Sequence, residues 1–143
     1  MKGPILLYKI GLGHVVGNMV LLLTTTGRKT GLSRVTPLQY ERIDGEYYVA
    51  AARGKKADWI RNLIADPNVK IQVKNHHHIG IARLIIHRPQ VINFLNLRIK
   101  RHPRMMRMML RAEGLKFPIT DEKIKEFAKN IVLVKIVTQR TGS

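Results

Sequence analysis

The alternation of apolar and polar positions predicts strands that pair with their neighbours along the chain. Met19–Thr25 is a continuous apolar and β-branched run of strand length. Arg34–Arg42 and Tyr47–Ala52 flank the dipeptide Asp44-Gly45, which is typical of a two-residue hairpin turn. We therefore expect these last two segments to pair around that turn.

A second hairpin and a final strand follow. Val69–Lys74 alternates apolar with polar residues at period two, which predicts a half-buried strand. We expect Asn75–His78 to turn the chain into a partner strand at Ile79–Ile86. Ile131–Thr138 is the last strand that the pattern predicts.

Helical spacing and helix-end signals predict helices at both ends of the chain and between the hairpins. They are Pro4–Val16, Ala57–Ala65, a segment opened by Arg88-Pro89, Pro103–Glu113 followed by Gly114, and a segment from the cap Thr120 to Lys129. Since the strands come in hairpins rather than singly between helices, a doubly wound parallel sheet is disfavoured. We expect an α+β fold, a small barrel of about six mostly antiparallel strands with flanking helices, forming one domain over residues 1–143.

Composition limits the class of protein. A chain of 143 residues that is 45% hydrophobic can bury a core of its own. The absence of cysteine excludes disulfide scaffolds and thiolate metal sites and fits a cytoplasmic protein. The apolar run Pro4–Thr26 is interrupted by Lys9, His14 and several glycines, so we do not expect it to span a membrane. Contact with a membrane surface stays open.

The charge is the strongest compositional signal. With 26 Lys and Arg against 9 Asp and Glu, the formal net charge is +17. Such a field attracts anions, whether nucleic acid, anionic lipid or a multiply charged small molecule. Aromatic residues are only 6% of the chain and are not interleaved with basic residues on any predicted strand, so we expect no nucleic acid partner.

Three other patterns are given ordinary structural interpretations. His76–His78 lacks a further ligand at metal-binding spacing, so we expect no metal site. Gly11-Leu12-Gly13 does not follow a predicted strand, and we interpret it as close packing rather than dinucleotide binding. The methionines from Met105 to Met109 lie in a basic helix and are interpreted as core residues, with a flexible face over a pocket or on anionic lipid as the alternative.

The segment Thr25–Leu38 is the most informative part of the chain. It joins two predicted strands, contains two glycines four positions apart, and carries Arg28, Lys29 and Arg34. Glycines allow backbone N–H groups to turn inward, and basic side chains supply charge-assisted contacts to phosphate or carboxylate. The segment indicates an anion-binding loop, and a solvated basic hairpin is the equal alternative.

The same residues resemble a known family. Leu21–Gly31, Arg34 and Pro37-Leu38 are similar to the signature of the deazaflavin-dependent nitroreductase and quinone reductase family, whose members are small proteins that use coenzyme F-420. Tyr48–Gly54, Trp59, Asn62-Leu63 and Asp66–Val69 resemble the second block of that family. The resemblance implies a split β-barrel of the FMN-binding split-barrel-like kind that binds the deazaflavin.

The resemblance also implies site residues. Lys29 and Arg34 would hold the phosphate and the poly-glutamate tail of the cofactor, helped by Arg28 and Thr30. The other cofactor-binding residues that it implies are Thr36, Pro37, Ala50, Ala52, Arg53 and Trp59. The chain departs from the family pattern at Ala52, where many relatives carry Ser, and at Asp58, where relatives often carry Pro before the Trp.

The function that the resemblance implies is hydride transfer from reduced coenzyme F-420 to a quinone-like, nitroaromatic or enone acceptor. Because the cofactor carries the hydride, no catalytic triad or carboxylate pair is needed, and the catalytic residues stay unassigned. Tyr40, Tyr48 or water can donate a proton if one is required. A homodimer is expected by analogy. The alternatives are an FMN-binding flavoprotein of the same barrel class and a non-enzymatic basic module on nucleic acid or membrane.

Overall fold

The computed structural model describes residues 20–139. Its strands are β1 (Val20–Thr26), β2 (Ser33–Gln39), β3 (Glu41–Ile43), β4 (Glu46–Ala51), β5 (Asn68–Val73), β6 (His76–Ile85) and β7 (Val132–Thr138). Its α-helices are α1 (Asp58–Ala65), α2 (Arg88–Arg101), α3 (Pro103–Ala112) and α4 (Asp121–Ala128), with a short 3-10 helix at Gly54–Lys56. The predicted Pro4–Val16 helix and the glycines after Lys9 lie outside the described residues.

All seven strands join one antiparallel sheet in the order β2-β1-β5-β6-β7-β4-β3. The segment Arg34–Arg42, predicted as one strand, is divided at Tyr40 into β2 and β3, which lie at opposite edges of the sheet. Because the chain passes directly from one edge to the other, the sheet must curl, and β2 also contacts β4. The result is the predicted split barrel, with seven strands where about six were expected.

Of the two predicted hairpin turns, one is confirmed and the other is wrong. Asp44 and Gly45 both have positive φ, 51° and 83°, as the predicted two-residue turn requires. The turn predicted over Asn75–His78 is wrong, because β6 begins at His76 and Lys74-Asn75 alone form the turn, with Lys74 at a φ of 55°. The three histidines are therefore strand residues.

Apolar side chains from the sheet form two cores. The inner core lies in the curl of the sheet and includes Leu21, Leu23, Val49 and Val134, with Ile60 and Leu63 of α1 packed against it. The outer core lies between the opposite face and helices α2, α3 and α4. Helix α1 thus packs on the inner side, next to β1, where it can meet the loop between β1 and β2.

A buried carboxylate fixes the corner between β3 and the end of α2. Glu41 is 4% exposed, and its oxygens accept from Arg98 Nε at 3.0 Å, Arg101 at 3.1 Å and His102 Nε2 at 3.0 Å. Arg98 also donates to Gln39 Oε1 at 3.0 Å. Burial lowers the pKa of Arg98, and the hydrogen bond and charge of Glu41 oppose that effect. This cluster is an internal structural element, since its charges are satisfied within the protein.

The C-terminal helices begin and end close to the predicted positions. Helix α3 ends before Gly114, whose φ is +97° and favours glycine. Thr120 caps α4 by accepting a hydrogen bond from the backbone N–H of Lys123 at 3.3 Å. Of the methionines, Met106 is buried as predicted, whereas Met108 is 72% exposed.

Candidate functional site

The loop between β1 and β2 is a compact turn that requires glycine twice. The N–H of Gly27 donates to the carbonyl of Leu32 at 2.8 Å, and the N–H of Gly31 donates to the carbonyl of Gly27 at 2.7 Å. Gly31 has a φ of +73°, which an L side chain adopts only under strain. A Cβ on Gly27 would lie 3.0 Å from the carbonyl oxygen of Leu32 and 3.1 Å from Thr30 Oγ1.

Helix α1 holds Arg28 in place from the other side. The backbone N–H of Arg28 donates to Asn62 Oδ1 at 3.2 Å, and its guanidinium donates to the same oxygen at 2.8 Å. A second guanidinium nitrogen forms an ion pair with Asp58 at 3.3 Å. Both the main chain and the side chain of Arg28 are therefore fixed relative to α1.

Asn62 is the residue that ties the turn, the helix and β1 together. It is 5% exposed, and its amide nitrogen donates to Thr25 Oγ1, itself buried, at 3.4 Å. Asn62 is not among the site residues predicted from the sequence. The sequence does contain a signal: Asn62 is a polar residue between Ile60 and Leu63, on a helix whose apolar side faces the sheet. A buried amide needs hydrogen-bond partners, so such a residue must bind a neighbouring segment.

The turn, the start of β2 and α1 enclose an open cleft of about 570 Å³. Three cationic side chains line it, from Arg28, Lys29 and Arg34, against a single carboxylate from Asp58. Lys29 and Arg34 are exposed and have no hydrogen-bond or ion-pair partner within residues 20–139. Two cations are thus available to an anionic ligand.

The structure brings six predicted site residues together in this cleft and adds five more. The predicted ones are Arg28, Lys29, Thr30, Arg34, Thr36 and Trp59. The added ones are Gly27, Ser33, Val35, Asp58 and Asn62. Trp59 is half-buried, packing against the inner core while it also lines the cleft, so it gives the cleft an aromatic surface beside its cations.

Four predicted residues do not line this cleft. Pro37 is an exposed residue of β2. Ala50 lies on the outer face of β4, packed against the outer core. Ala52 and Arg53 are exposed in the turn after β4. That turn is held by Gly54, which has a φ of +59° and approaches the carbonyl of Asn130 too closely to admit a side chain. Contact of these four with a cofactor stays a prediction.

The two tyrosines considered as proton donors also lie elsewhere. Tyr48 packs in the outer core, with its ring 6.2 Å from that of Phe94. Tyr40 packs against the inner core, with its ring 5.5 Å from that of Tyr47. Neither lines the cleft.

The described residues form neither a metal-binding group nor a membrane-spanning helix. Across the described part of the chain, no group of three His, Cys, Asp or Glu residues is arranged to hold a metal ion. His76 and His77 are exposed, and His78 lies 5.9 Å from the ring of Tyr47. None of the helices between residues 20 and 139 is long and apolar enough to cross a membrane.

The chain is similar in sequence to known reductases. The family model described as F420H(2)-dependent quinone reductase matches residues 9–115. The F420H(2)-dependent quinone reductase of Mycobacterium tuberculosis strain H37Rv is 43% identical over 56 residues, which are 37% of this chain and 38% of that protein. The aligned part thus spans less than two-fifths of the curated relative. The family match supports coenzyme F-420 as the cofactor, and the FMN alternative has no such support.

Solved structures share the fold. A conserved hypothetical protein from Mycobacterium tuberculosis has a TM-score of 0.64 at 20% identity, covering 92% of this chain and 81% of that chain. An F420-H2 dependent reductase has a TM-score of 0.55 at 21% identity, covering 82% of this chain and 93% of that chain. Both confirm the split-barrel architecture. Since its family model covers most of the sequence, including the whole basic turn and α1, the chain belongs to the F420H(2)-dependent quinone reductase family.

Proposed function

We propose that this protein is an oxidoreductase that transfers a hydride from reduced coenzyme F-420 to a quinone-like, nitroaromatic or enone acceptor. The bound cofactor would supply the hydride. The observation that carries the proposal is the cleft beside the β1–β2 turn. It presents two cations that have no partner in the described part of the chain, next to an immobilised third. Family membership gives the reaction class. The choice among acceptors is part of the proposal.

The donor set of the cleft fits a cofactor with a phosphate and several carboxylates. Lys29 and Arg34 lack partners in the described structure and can each bind an anionic oxygen. Arg28 adds charge but is committed to Asn62 and Asp58. Hydrogen bonds from charged donors to phosphate or carboxylate are short and about twice as strong as neutral ones. The cleft would therefore hold the anionic part of the cofactor.

Positioning follows from the rigidity of the turn. The cross-turn hydrogen bonds of Gly27 and Gly31 fix the backbone, and Asn62 fixes Arg28 from α1. Lys29 therefore starts from a fixed main chain, although its own side chain is free. A preorganised site loses less conformational entropy when the ligand binds. The role assigned to the turn is to bind one end of the cofactor and so determine where its other end lies.

The apolar surface of the cleft comes from Trp59 and Val35. An aromatic indole and an aliphatic side chain exclude water from whatever ring system lies against them, which strengthens nearby electrostatic interactions. Among residues 20–139, the titratable side chains that line the cleft are the three cations and Asp58. We assign any proton that the acceptor needs to water.

The proposal includes a homodimer formed through the outer face of the sheet. Ile79 and Ile81 of β6 are 48% and 38% exposed on that face, beyond the region that the helices cover. Ile79 and Ile81 are neighbours on one face of the strand, and we assign them to the association surface. Light scattering coupled to size-exclusion chromatography should give a mass of two chains for the unmodified protein. The Ile81→Lys variant should have the mass of one chain.

Oxidation of the reduced cofactor tests the proposed activity. Reduced coenzyme F-420 is mixed with the protein and with a quinone, a nitroaromatic or an enone, and deazaflavin absorbance is followed. We expect oxidation that depends on both protein and acceptor, and an increased KM for the cofactor in Lys29→Ala. The exposed Lys125 on α4 provides the matched control. Binding of the cofactor without turnover by any acceptor class would refute hydride transfer.

Binding measurements separate the alternatives. A flavoprotein would bind FMN as tightly as coenzyme F-420, whereas we expect FMN to bind more weakly. A basic module would bind neither cofactor and would be retained on DNA or anionic lipid with a steep dependence on salt. Either outcome would contradict the proposed function.

A further inference from the structure

A second cleft lies among the C-terminal helices, and it shares no lining residue with the one beside the basic turn. It has a volume of about 700 Å³ and lies between the end of α2, helix α3 and the segment that precedes α4. Its walls are mainly apolar, from Ile99, Leu110, Phe117 and Ile119. This size and this kind of lining are typical of small-molecule sites.

Two guanidinium groups line this cleft, and no Asp or Glu of the described residues lines it with them. Arg107 and Arg111 are one helical turn apart on α3, and both line the cleft. Their Cζ atoms lie 5.8 and 5.9 Å from the ring centroid of Phe117. Like charges at this spacing repel each other, and within residues 20–139 neither forms an ion pair. An anion placed between them would remove the repulsion.

The wall that carries Phe117 is held firmly by α4. The ammonium group of Lys123 donates to the carbonyl oxygens of Lys116 and Pro118, at 2.6 and 2.9 Å. These two hydrogen bonds fix the main chain on both sides of Phe117, although its ring is 43% exposed. The cleft thus has an aromatic ring on a fixed main chain, beside two cations that form no ion pair with the described residues.

We propose that this cleft binds an amphipathic anion, a carboxylate or phosphate head group attached to an apolar chain. The head group lies beside Arg107 and Arg111, which both line the cleft and can each supply a charge-assisted hydrogen bond. The apolar chain lies against Ile99, Leu110 and Ile119. A free fatty acid and a membrane lipid share this chemistry, and the experiment distinguishes them.

Calorimetric titration with sodium decanoate, below its micelle concentration, tests the site directly. We expect one decanoate per chain, with an affinity at least about tenfold above that of decyltrimethylammonium, which has the same chain but a cationic head. The Arg107→Gln/Arg111→Gln variant should lose about tenfold in decanoate affinity. The control Arg104→Gln removes an exposed arginine of α3 that lines neither cleft and should stay within about twofold of the unmodified protein.

Sedimentation with phosphatidylcholine vesicles, with and without phosphatidylglycerol, identifies the source. Retention on anionic vesicles that depends on Arg107 and Arg111 but not on Arg104 indicates a membrane lipid. Decanoate binding without vesicle retention indicates a free amphiphile. Equal binding of the two decyl compounds, or equal losses in the double variant and the Arg104→Gln control, would overturn the proposal, as would the absence of both kinds of binding. Titration with coenzyme F-420 should be the same in all these variants.

Discussion

The protein contains two clusters of cationic side chains that use their charge in opposite ways. At the corner of β3 and α2, Arg98 and Arg101 pair with the buried carboxylate of Glu41, to which the imidazole of His102 also donates. At the β1–β2 turn, Arg28 is paired, while Lys29 and Arg34 line the cleft and have no partner among residues 20–139. The first cluster is satisfied internally and stabilises the fold, whereas the second is left to be completed by a ligand.

This contrast shows why a net charge of +17 does not by itself indicate a function. Cations that surround a buried acid contribute to the same total as cations that bind a ligand. What separates them is whether a partner lies within the chain, and that depends on which segments the fold brings together. Breaking each cluster in turn should therefore affect different measurements.

The largest expected effect is on stability, at the buried cluster. Glu41→Gln leaves Arg98 buried without its charge partner, which should lower the free energy of unfolding by about 3–5 kcal/mol. Chemical denaturation measures this loss. Glu126→Gln removes an exposed carboxylate that pairs with Lys129 and should leave the unfolding midpoint unchanged. If the two variants unfold alike, the buried cluster is not the structural element described here.

An intermediate effect is expected at Asn62, which both stabilises the fold and positions the basic turn. Asn62→Ala removes the acceptor of Arg28 and leaves the buried hydroxyl of Thr25 without its donor. We expect a loss of about 1–3 kcal/mol in unfolding free energy, together with weaker cofactor binding. Asn96→Ala, at an exposed position of α2, is the matched control. Unchanged cofactor affinity in a destabilised Asn62→Ala protein would show that Arg28 needs no positioning.

The smallest expected effect is at Asp58. Its side chain is 85% exposed, and its ion pair with Arg28 spans 3.3 Å, so its contribution to stability is at most about 1 kcal/mol. It is also the one carboxylate that lines the cleft. Asp58→Asn should therefore leave the unfolding midpoint nearly unchanged and increase the affinity for the cofactor by up to about fivefold. A decrease in cofactor affinity would contradict this prediction and would mean that Asp58 helps binding by orienting Arg28.

Much of the fold could be predicted because local patterns determine it. The apolar runs of β1, β4 and β7, the Asp44-Gly45 turn and the Thr120 cap all depend on neighbouring residues. The division of Arg34–Arg42 at Tyr40 could not be predicted. The two halves of the segment belong to different hairpins, since β2 pairs with β1 and β3 pairs with β4. Their placement at opposite edges depends on the order of all seven strands, which no local pattern shows.

In the candidate site, too, residues marked by a local pattern could be predicted, whereas residues that depend on contacts between distant segments could not. Arg28, Lys29 and Arg34 could be found because they are concentrated in one segment. Ala50 was implied by the family resemblance alone. It packs against the outer core, and its contact with a cofactor stays a prediction. Asn62 was missed because its role depends on contact with a turn 34 positions away in sequence.

The dependence of binding on cofactor tail length tests the central claim most directly. Fluorescence titrations would use coenzyme F-420 species that differ only in glutamate number. The account predicts tighter binding with a longer tail, and loss of most of that gain in Lys29→Ala/Arg34→Ala but not in the control Lys125→Ala/Arg104→Ala. If the Lys29→Ala/Arg34→Ala protein retains the full dependence on tail length, the basic turn does not bind the anionic end of the cofactor.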